Sequence, residues 1–137
     1  MTNQNLINEA ISVVHPKIIG NANMGAVGCA LMTNKGNIFY GVCIDTSSGM
    51  GFCAEHTAIS QMITQEEYVI KKIVTVKKNN NWDIFILPPC GRCREFMRQT
   101  NEKNLEETEV ILDKDKSVKL KKILPYYDWY KKQNIEF

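Results

Sequence analysis

Two short cysteine motifs constrain this chain more than any other feature of its sequence. The first is Cys53-Ala54-Glu55, and the second is Pro89-Cys90-Gly91-Arg92-Cys93. Zinc takes four ligands, and thiolates suit it well. A catalytic zinc site uses three protein ligands and keeps the fourth position for water or substrate. The two motifs therefore predict a catalytic zinc site with the ligands Cys53, Cys90 and Cys93.

The rest of the composition agrees with a metal site in a cytoplasmic protein. The N-terminal residues MTNQNLINEA have neither the basic start nor the apolar stretch of a secretion signal, and no apolar run is long enough for a membrane span. Thiols stay reduced in the cytosol, so the five cysteines favour metal binding over disulfides. The net charge is only +2, and the lysines near the C-terminus form no strong basic surface, so we do not expect a nucleic-acid partner.

Hydrophobic periodicity predicts an α/β fold. Five strands are predicted, at residues 26–33, 38–45, 73–77, 83–87 and 109–113. Helices are predicted from about Leu6 to Val14, directly after Cys53, directly after Cys90, and around Leu120 to Leu124. This order describes a three-layer α/β/α sandwich with a mixed sheet of about five strands, and we expect a single domain over residues 1–137.

Each cysteine motif begins a predicted helix, which has electrostatic consequences. Three thiolates around Zn²⁺ leave a net negative charge, and the free N–H groups and positive dipole ends of two helices offset it. Arg94, and also Arg92, are expected to add hydrogen bonds to the thiolates, with Ala54 lying beside the ligands. His56 and His15 are not well placed to be a fourth ligand.

Glu55 has the right position for a proton carrier. It lies two residues after Cys53, on the first helical turn, so its carboxylate reaches the open coordination position without binding the metal. Zinc lowers the pKa of a bound water to about 7. Glu55 is then expected to accept the water's proton, deliver it to a ring nitrogen as hydroxide attacks the amidine-like carbon, and assist the release of ammonia.

These motifs resemble those of the cytidine deaminase family, whose zinc signature has an all-cysteine form. The similar segments are Val27–Leu31, Ile38–Asp45, Cys53–Ile59, Pro89–Glu95 and Ile123–Pro125. The resemblance implies one zinc per chain, Glu55 as proton shuttle acting at C4 of the base, and a homotetramer, or a dimer, whose sites borrow residues from neighbouring subunits. Deaminases with cysteine as first ligand resemble one another in acting on free nucleosides, which implies cytidine or deoxycytidine as substrate.

The sugar side departs from the family pattern. Cytidine deaminases resemble one another in holding the ribose with an Asn and a Glu near the end of the second strand, where this chain has Cys43 and Asp45. Blasticidin S deaminases resemble this chain in departing there and in the run Cys-Gly-Arg-Cys-Arg. A cytosine nucleoside analogue such as blasticidin S therefore remains an alternative substrate. Phe39 or Tyr40 is expected to wall the base pocket, since alternation turns only one of them inward.

Two further interpretations stay open. A zinc-containing module that binds nucleosides or partners without catalysis is an alternative of a different class, and a fourth metal ligand would favour it. The C-terminal aromatic residues are expected to pack, to form a subunit contact, or to stack on substrate. They are Tyr126, Tyr127, Trp129 and Tyr130.

Overall fold

A mixed seven-stranded sheet forms the centre of the computed structural model, which describes residues 1–128 and 130–137. Its strands are β1 (Lys17–Ile19), β2 (Ala22–Thr33), β3 (Ile38–Asp45), β4 (Ile70–Lys78), β5 (Ile84–Ile86), β6 (Glu109–Asp113) and β7 (Lys116–Lys119). The main path runs β3-β2-β4-β6-β7; β1 pairs with β2, and β5 pairs with β4. Only β4 and β6 pair in parallel; every other pair is antiparallel.

The helices cover both faces of this sheet. They are α1 (Asn3–Ser12), α2 (Ala54–Thr64), α3 (Gly91–Thr100) and the short α4 (Asn104–Glu107), followed by a 3-10 turn at Leu120–Ile123. Alternation along β2 decides which layer each side chain joins: Ala30 packs with α1, whereas Cys29 and Leu31 pack with α2 and α3. The predicted three-layer α/β/α architecture is confirmed.

The predicted elements need correction at two edges. Strands β1 and β7 were not predicted, so the sheet has seven strands and not about five. The expected C-terminal helix is only the 3-10 turn. Part of that segment is in β7, because the chain reverses after Asp113 and returns along β6, with Val118 opposite Val110. Pro125 follows the 3-10 turn closely, and because it lacks a backbone N–H it does not continue a helix.

The C-terminal aromatic residues that the structure describes are exposed to solvent. Tyr126 is 96% exposed, and Tyr127 and Tyr130 are also exposed, while Trp129 lies outside the described residues. None of the helices that the structure describes combines the length and apolar character that a membrane crossing requires.

Gly41 brings α2 into close contact with β3. A Cβ atom at this position would collide with the backbone nitrogen of Ala58 and the backbone oxygen of Ala54. The helix backbone therefore rests directly on the strand, which only glycine permits. Because Ala54 begins α2, this contact also fixes where the Cys53-Ala54-Glu55 segment lies relative to the sheet.

We predict that Gly41→Ala destabilises the protein by about 2 kcal/mol or more, because two backbone segments must move apart. Gly91→Ala is the matched control: its Cβ would meet nothing within 4 Å, so its stability should change by less than about 1 kcal/mol. Urea unfolding of both variants measures the difference. Equal stability of the two variants would show that the contact at Gly41 relaxes without cost.

Candidate metal centre and active site

The three predicted cysteine ligands meet at one point. The Sγ atoms of Cys53 and Cys90 are 3.9 Å apart, those of Cys90 and Cys93 are 3.6 Å apart, and all three lie within 4.8 Å of one another. Thiolates bound tetrahedrally at about 2.3 Å from a zinc ion lie about 3.8 Å apart, so the observed spacing suits zinc. No other group of three metal-binding side chains meets this criterion among the described residues.

Local structure explains why the sulfurs converge. Cys53 and Cys90 are the N-cap residues of α2 and α3, both in extended conformation and neither with a side-chain capping bond. Cys93 lies on the first turn of α3 and is fully buried. Two helix N-termini therefore point toward one place, and the backbone N–H groups of Arg92 and Cys93 in α3 act on the sulfur of Cys90.

The thiol pKa values fit a cation site. Burial acts to raise the pKa of Cys90, but hydrogen bonds from the backbone N–H groups of Cys93 and Arg92 and from the neighbouring thiols lower it overall. The pKa values of Cys53 and Cys93 are raised, first by burial and also by nearby negative charge. Three thiolates this close repel one another, and a dication allows all three to ionise.

Glu55 lies beside the cysteines and is almost fully buried. Its side chain is 5% exposed, and burial raises the pKa of its carboxyl group, while hydrogen bonds from its own backbone N–H, from Thr75 and from Cys93 oppose the rise. It does not belong to the metal-binding group. A buried carboxyl with a raised pKa next to the metal-binding cysteines is the kind of group that general acid–base catalysis uses to accept and return a proton.

A cleft of about 230 Å³ opens over Cys53, Cys90 and Glu55. This is just below the range of about 300–1,000 Å³ of drug-sized ligand pockets, so the cleft suits a single small molecule. Cys43 and Asp45, at the end of β3, also line the cleft, and the remaining lining residues are Val27, Ala54, Thr75, Leu87 and Pro88.

Phe39 does not lie at this cleft, which corrects the sequence prediction. It faces the same side of the sheet as Cys43, but the close contact of α2 with Gly41 separates the two positions. Phe39 is therefore buried in the core among α2 side chains. Tyr40 faces the opposite layer, where its hydroxyl donates to Glu9 at 2.6 Å.

The prediction for Arg94 is also corrected. Its guanidinium donates to the carbonyl oxygens of Pro89 at 2.8 Å and Ile123 at 3.0 Å, and not to a thiolate. It thereby ties the segment before Cys90 to the C-terminal turn. The side chain that does approach a ligand sulfur is His56, whose Nδ1 lies 3.6 Å from Cys93 Sγ while its ring stacks on Phe96 at 4.1 Å.

The pKa of His56 is lowered, mainly by burial and also by the positive charge of Arg92. Both effects favour the neutral form of the imidazole. Its contact with Cys93 was not predicted, because the sequence places His56 further round the helix from the metal and says nothing about where Phe96 and Cys93 of α3 lie. Thr75 was missed for the same reason, since it reaches Glu55 only through strand pairing.

A three-layer α/β/α fold with a three-cysteine metal site and a buried glutamate defines the class of zinc-dependent hydrolytic deaminases. Comparison with known proteins agrees. The family model "Cytidine and deoxycytidylate deaminase zinc-binding region" matches residues 1–106. This chain belongs to that family.

Individual relatives support the same conclusion. The chain is 41% identical over 71 residues to a probable cytidine deaminase of Dictyostelium discoideum, a match that covers 51% of this chain and 46% of that protein. In this match, the chain thus spans less than half the length of that relative. It is 30% identical over 100 residues to a cytidine deaminase of Halalkalibacterium halodurans, covering 72% of each chain.

Solved structures show the same fold. The crystal structure of cytidine deaminase from Burkholderia pseudomallei matches with a TM-score of 0.71 and 26% identity, over 92% of this chain and 98% of that one. That from Mycobacterium leprae matches with a TM-score of 0.70 and 24% identity, over 89% and 96%. The predicted family, fold class, zinc cofactor and aminohydrolase class are therefore confirmed.

We predict that the purified protein contains about one zinc ion per chain and that Cys93→Ala loses most of it, because one of three thiolate ligands is removed. Cys43→Ala, which removes a buried thiol that lines the cleft outside the metal-binding group, should keep the metal. Metal analysis after dialysis measures both. Chelation should also lower the Tm, since bound metal at 1,000 times its Kd adds about 4 kcal/mol of stability. Full zinc content in Cys93→Ala would contradict the assigned ligand set.

Proposed function

We propose that this chain hydrolytically deaminates a free cytosine nucleoside, cytidine or deoxycytidine, to the uracil nucleoside and ammonia. The observation that carries the proposal is the position of Glu55, buried at the floor of a small cleft beside three metal-binding thiols. The cleft runs from these groups to Cys43 and Asp45. A nucleoside fits with its amino group toward the cysteines and its sugar toward the end of β3.

In this proposal Glu55 performs both proton transfers. The metal, when bound by Cys53, Cys90 and Cys93, supplies an activated water. Glu55 accepts a proton as the water oxygen adds to the ring carbon that bears the amino group, and it delivers this proton to the adjacent ring nitrogen. A second transfer through Glu55 protonates the amino group, the carbon–nitrogen bond breaks, and ammonia leaves as the carbonyl forms.

We predict that Glu55→Gln lowers kcat about 10³-fold or more, because an amide neither accepts nor returns a proton. Zinc content should stay at about one per chain, since Glu55 is not a ligand. Ammonia release from cytidine together with metal analysis tests both points. Glu102→Gln, the same change at an exposed position, is the control. Turnover by Glu55→Gln at the control's rate would remove Glu55 from the mechanism.

A cytosine nucleoside analogue such as blasticidin S is the second candidate substrate, and Asp45 is the observation that favours it. Asp45 is an exposed carboxylate at the end of the cleft, and the neighbouring Cys43 is a weak hydrogen-bonding group. A carboxylate accepts a hydrogen bond from a sugar hydroxyl, but it also attracts a cationic substituent. The two substrates therefore differ in how much they depend on the charge at position 45.

We predict different effects of Asp45→Asn on the two substrates. For cytidine, the amide oxygen still accepts a hydrogen bond, and KM should rise by less than about 5-fold. For a cationic analogue, loss of the charge should raise KM about 10-fold or more, with the effect shrinking at high salt. The measurement is ammonia release from cytidine, deoxycytidine, cytosine, blasticidin S and adenosine. Glu66→Gln, at the opposite end of α2, is the control for net charge.

If Asp45→Asn leaves KM unchanged for every substrate that the wild-type protein turns over, Asp45 has no part in recognition. If the wild-type protein binds zinc but turns over none of the five compounds, the proposed substrate class is wrong. The non-catalytic interpretation would then be favoured, although the fourth protein ligand that it requires is absent from the metal-binding group found in the described residues.

We further propose that residues 1–137 are one deaminase domain that assembles into a homotetramer, or a dimer, in the cytoplasm. The exposed side chains of Tyr126 and Phe137 support association, since large apolar groups left in solvent are common at subunit contacts. Measurement of the mass in solution distinguishes these states.

A further inference from the structure

Thr75 carries a buried hydroxyl group next to Glu55. It is not one of the metal-binding residues, and the proposed reaction gives it no role. It lies on β4 directly opposite Cys29 of β2, and it is 4% exposed. The N–H of Leu87 donates to its backbone carbonyl at 2.9 Å, so its backbone is held from two sides. A β-branched residue is also stiff at χ1. The hydroxyl of Thr75 therefore has a well-defined position.

Glu55 and Thr75 both line the open cleft and, next to it, a second and narrow space. Glu55 and Thr75 supply the only polar side chains among the residues that line it. The other lining residues are Ile73, Val74, Leu87, Pro89, Met97, Val110 and Ile111. There is no room in it for a water molecule. Within this space, a hydrogen bond to the Glu55 carboxylate has to come from the protein.

Among the residues that line this space, Thr75 is the one whose side chain can donate such a bond to Glu55. A hydrogen bond from its hydroxyl would oppose the rise that burial causes in the pKa of the Glu55 carboxyl group, the direction in which Thr75 acts. A hydroxyl has one proton, so it donates either to Glu55 or to the neighbouring Cys29 thiol and not to both at once.

We propose that Thr75 is a positioning residue that holds the Glu55 carboxylate in the orientation needed for proton transfer. The inference rests on the proposed role of Glu55. Without the hydroxyl, the carboxylate faces only apolar side chains in the narrow space, where there is no room for a water molecule to replace the hydroxyl. The carboxylate then turns away from the reacting atoms. Proton transfer depends steeply on such geometry, whereas substrate binding does not require it.

The test compares Thr75→Val, which keeps the branched shape and removes the hydroxyl, with Thr75→Ser, which keeps the hydroxyl. Thr75→Val should lower kcat for cytidine about 10- to 100-fold and leave KM within about 2-fold. Thr75→Ser should stay within about 3-fold of the wild-type kcat. All variants should contain one zinc per chain, because no ligand has changed.

Thr108→Val is the matched control. Thr108 is equally buried, and its hydroxyl donates to the carbonyl of Ile70 at 2.7 Å, outside the residues that line the cleft. The control should lose stability, measured as Tm, and keep its kcat. A loss of kcat in both variants would mean that Thr75→Val acts through general destabilisation, and the proposal would be wrong.

Other outcomes also overturn the proposal. Wild-type kcat in Thr75→Val, a rise in KM in place of a fall in kcat, or no recovery in Thr75→Ser would each do so. In the double variant with Glu55→Gln, Thr75→Val should cause no further loss, since it acts only through Glu55; an additional loss contradicts this. If Glu55→Gln itself keeps wild-type activity, the proposed function of Glu55 is wrong. That result is distinguishable from a failure of the Thr75 proposal, in which Glu55→Gln is inactive and Thr75→Val keeps its kcat.

Discussion

The mutual repulsion of three sulfur atoms is the constraint on which the rest of this structure depends. Cys53, Cys90 and Cys93 are held within 4.8 Å, where they ionise together only around a cation. The fold brings them there by directing the N-termini of α2 and α3 to the same end of the sheet. Backbone N–H groups then lower the pKa of Cys90 before any metal binds.

Glu55 depends on the same arrangement. The contact of α2 with Gly41 fixes the start of the helix, and a narrow space next to Met97, with no room for a water molecule, adjoins the carboxyl group on one side. Burial raises the pKa of Glu55, and a few hydrogen bonds limit the rise. The resulting carboxyl group is buried beside the cysteines, as the proposed proton transfer requires. The cluster of metal-binding cysteines and the buried carboxyl group are therefore two consequences of one packing arrangement.

The sequence predicted local features well and non-local ones poorly. The helix starts at Cys53 and Cys90 and the hairpin of β2 and β3 follow from motifs and turn residues adjacent in the chain. Strand β7 was missed because the polar residues of that segment gain their place only by pairing with β6. The roles expected for Phe39 and Arg94 were wrong because the packing on Gly41 and the carbonyl oxygens of distant loops decide those contacts.

The sequence by itself determined the chemistry of this protein: which three thiols hold the metal, which carboxyl lies beside them, and the family to which the chain belongs. These properties depend on residue type and short spacing, which are read directly from the order of the chain. Only the tertiary structure decided which groups surround that chemistry. His56 contacts Cys93 across two helices, and Thr75 contacts Glu55 from a strand, because strand register and helix packing bring together residues that are far apart in the chain.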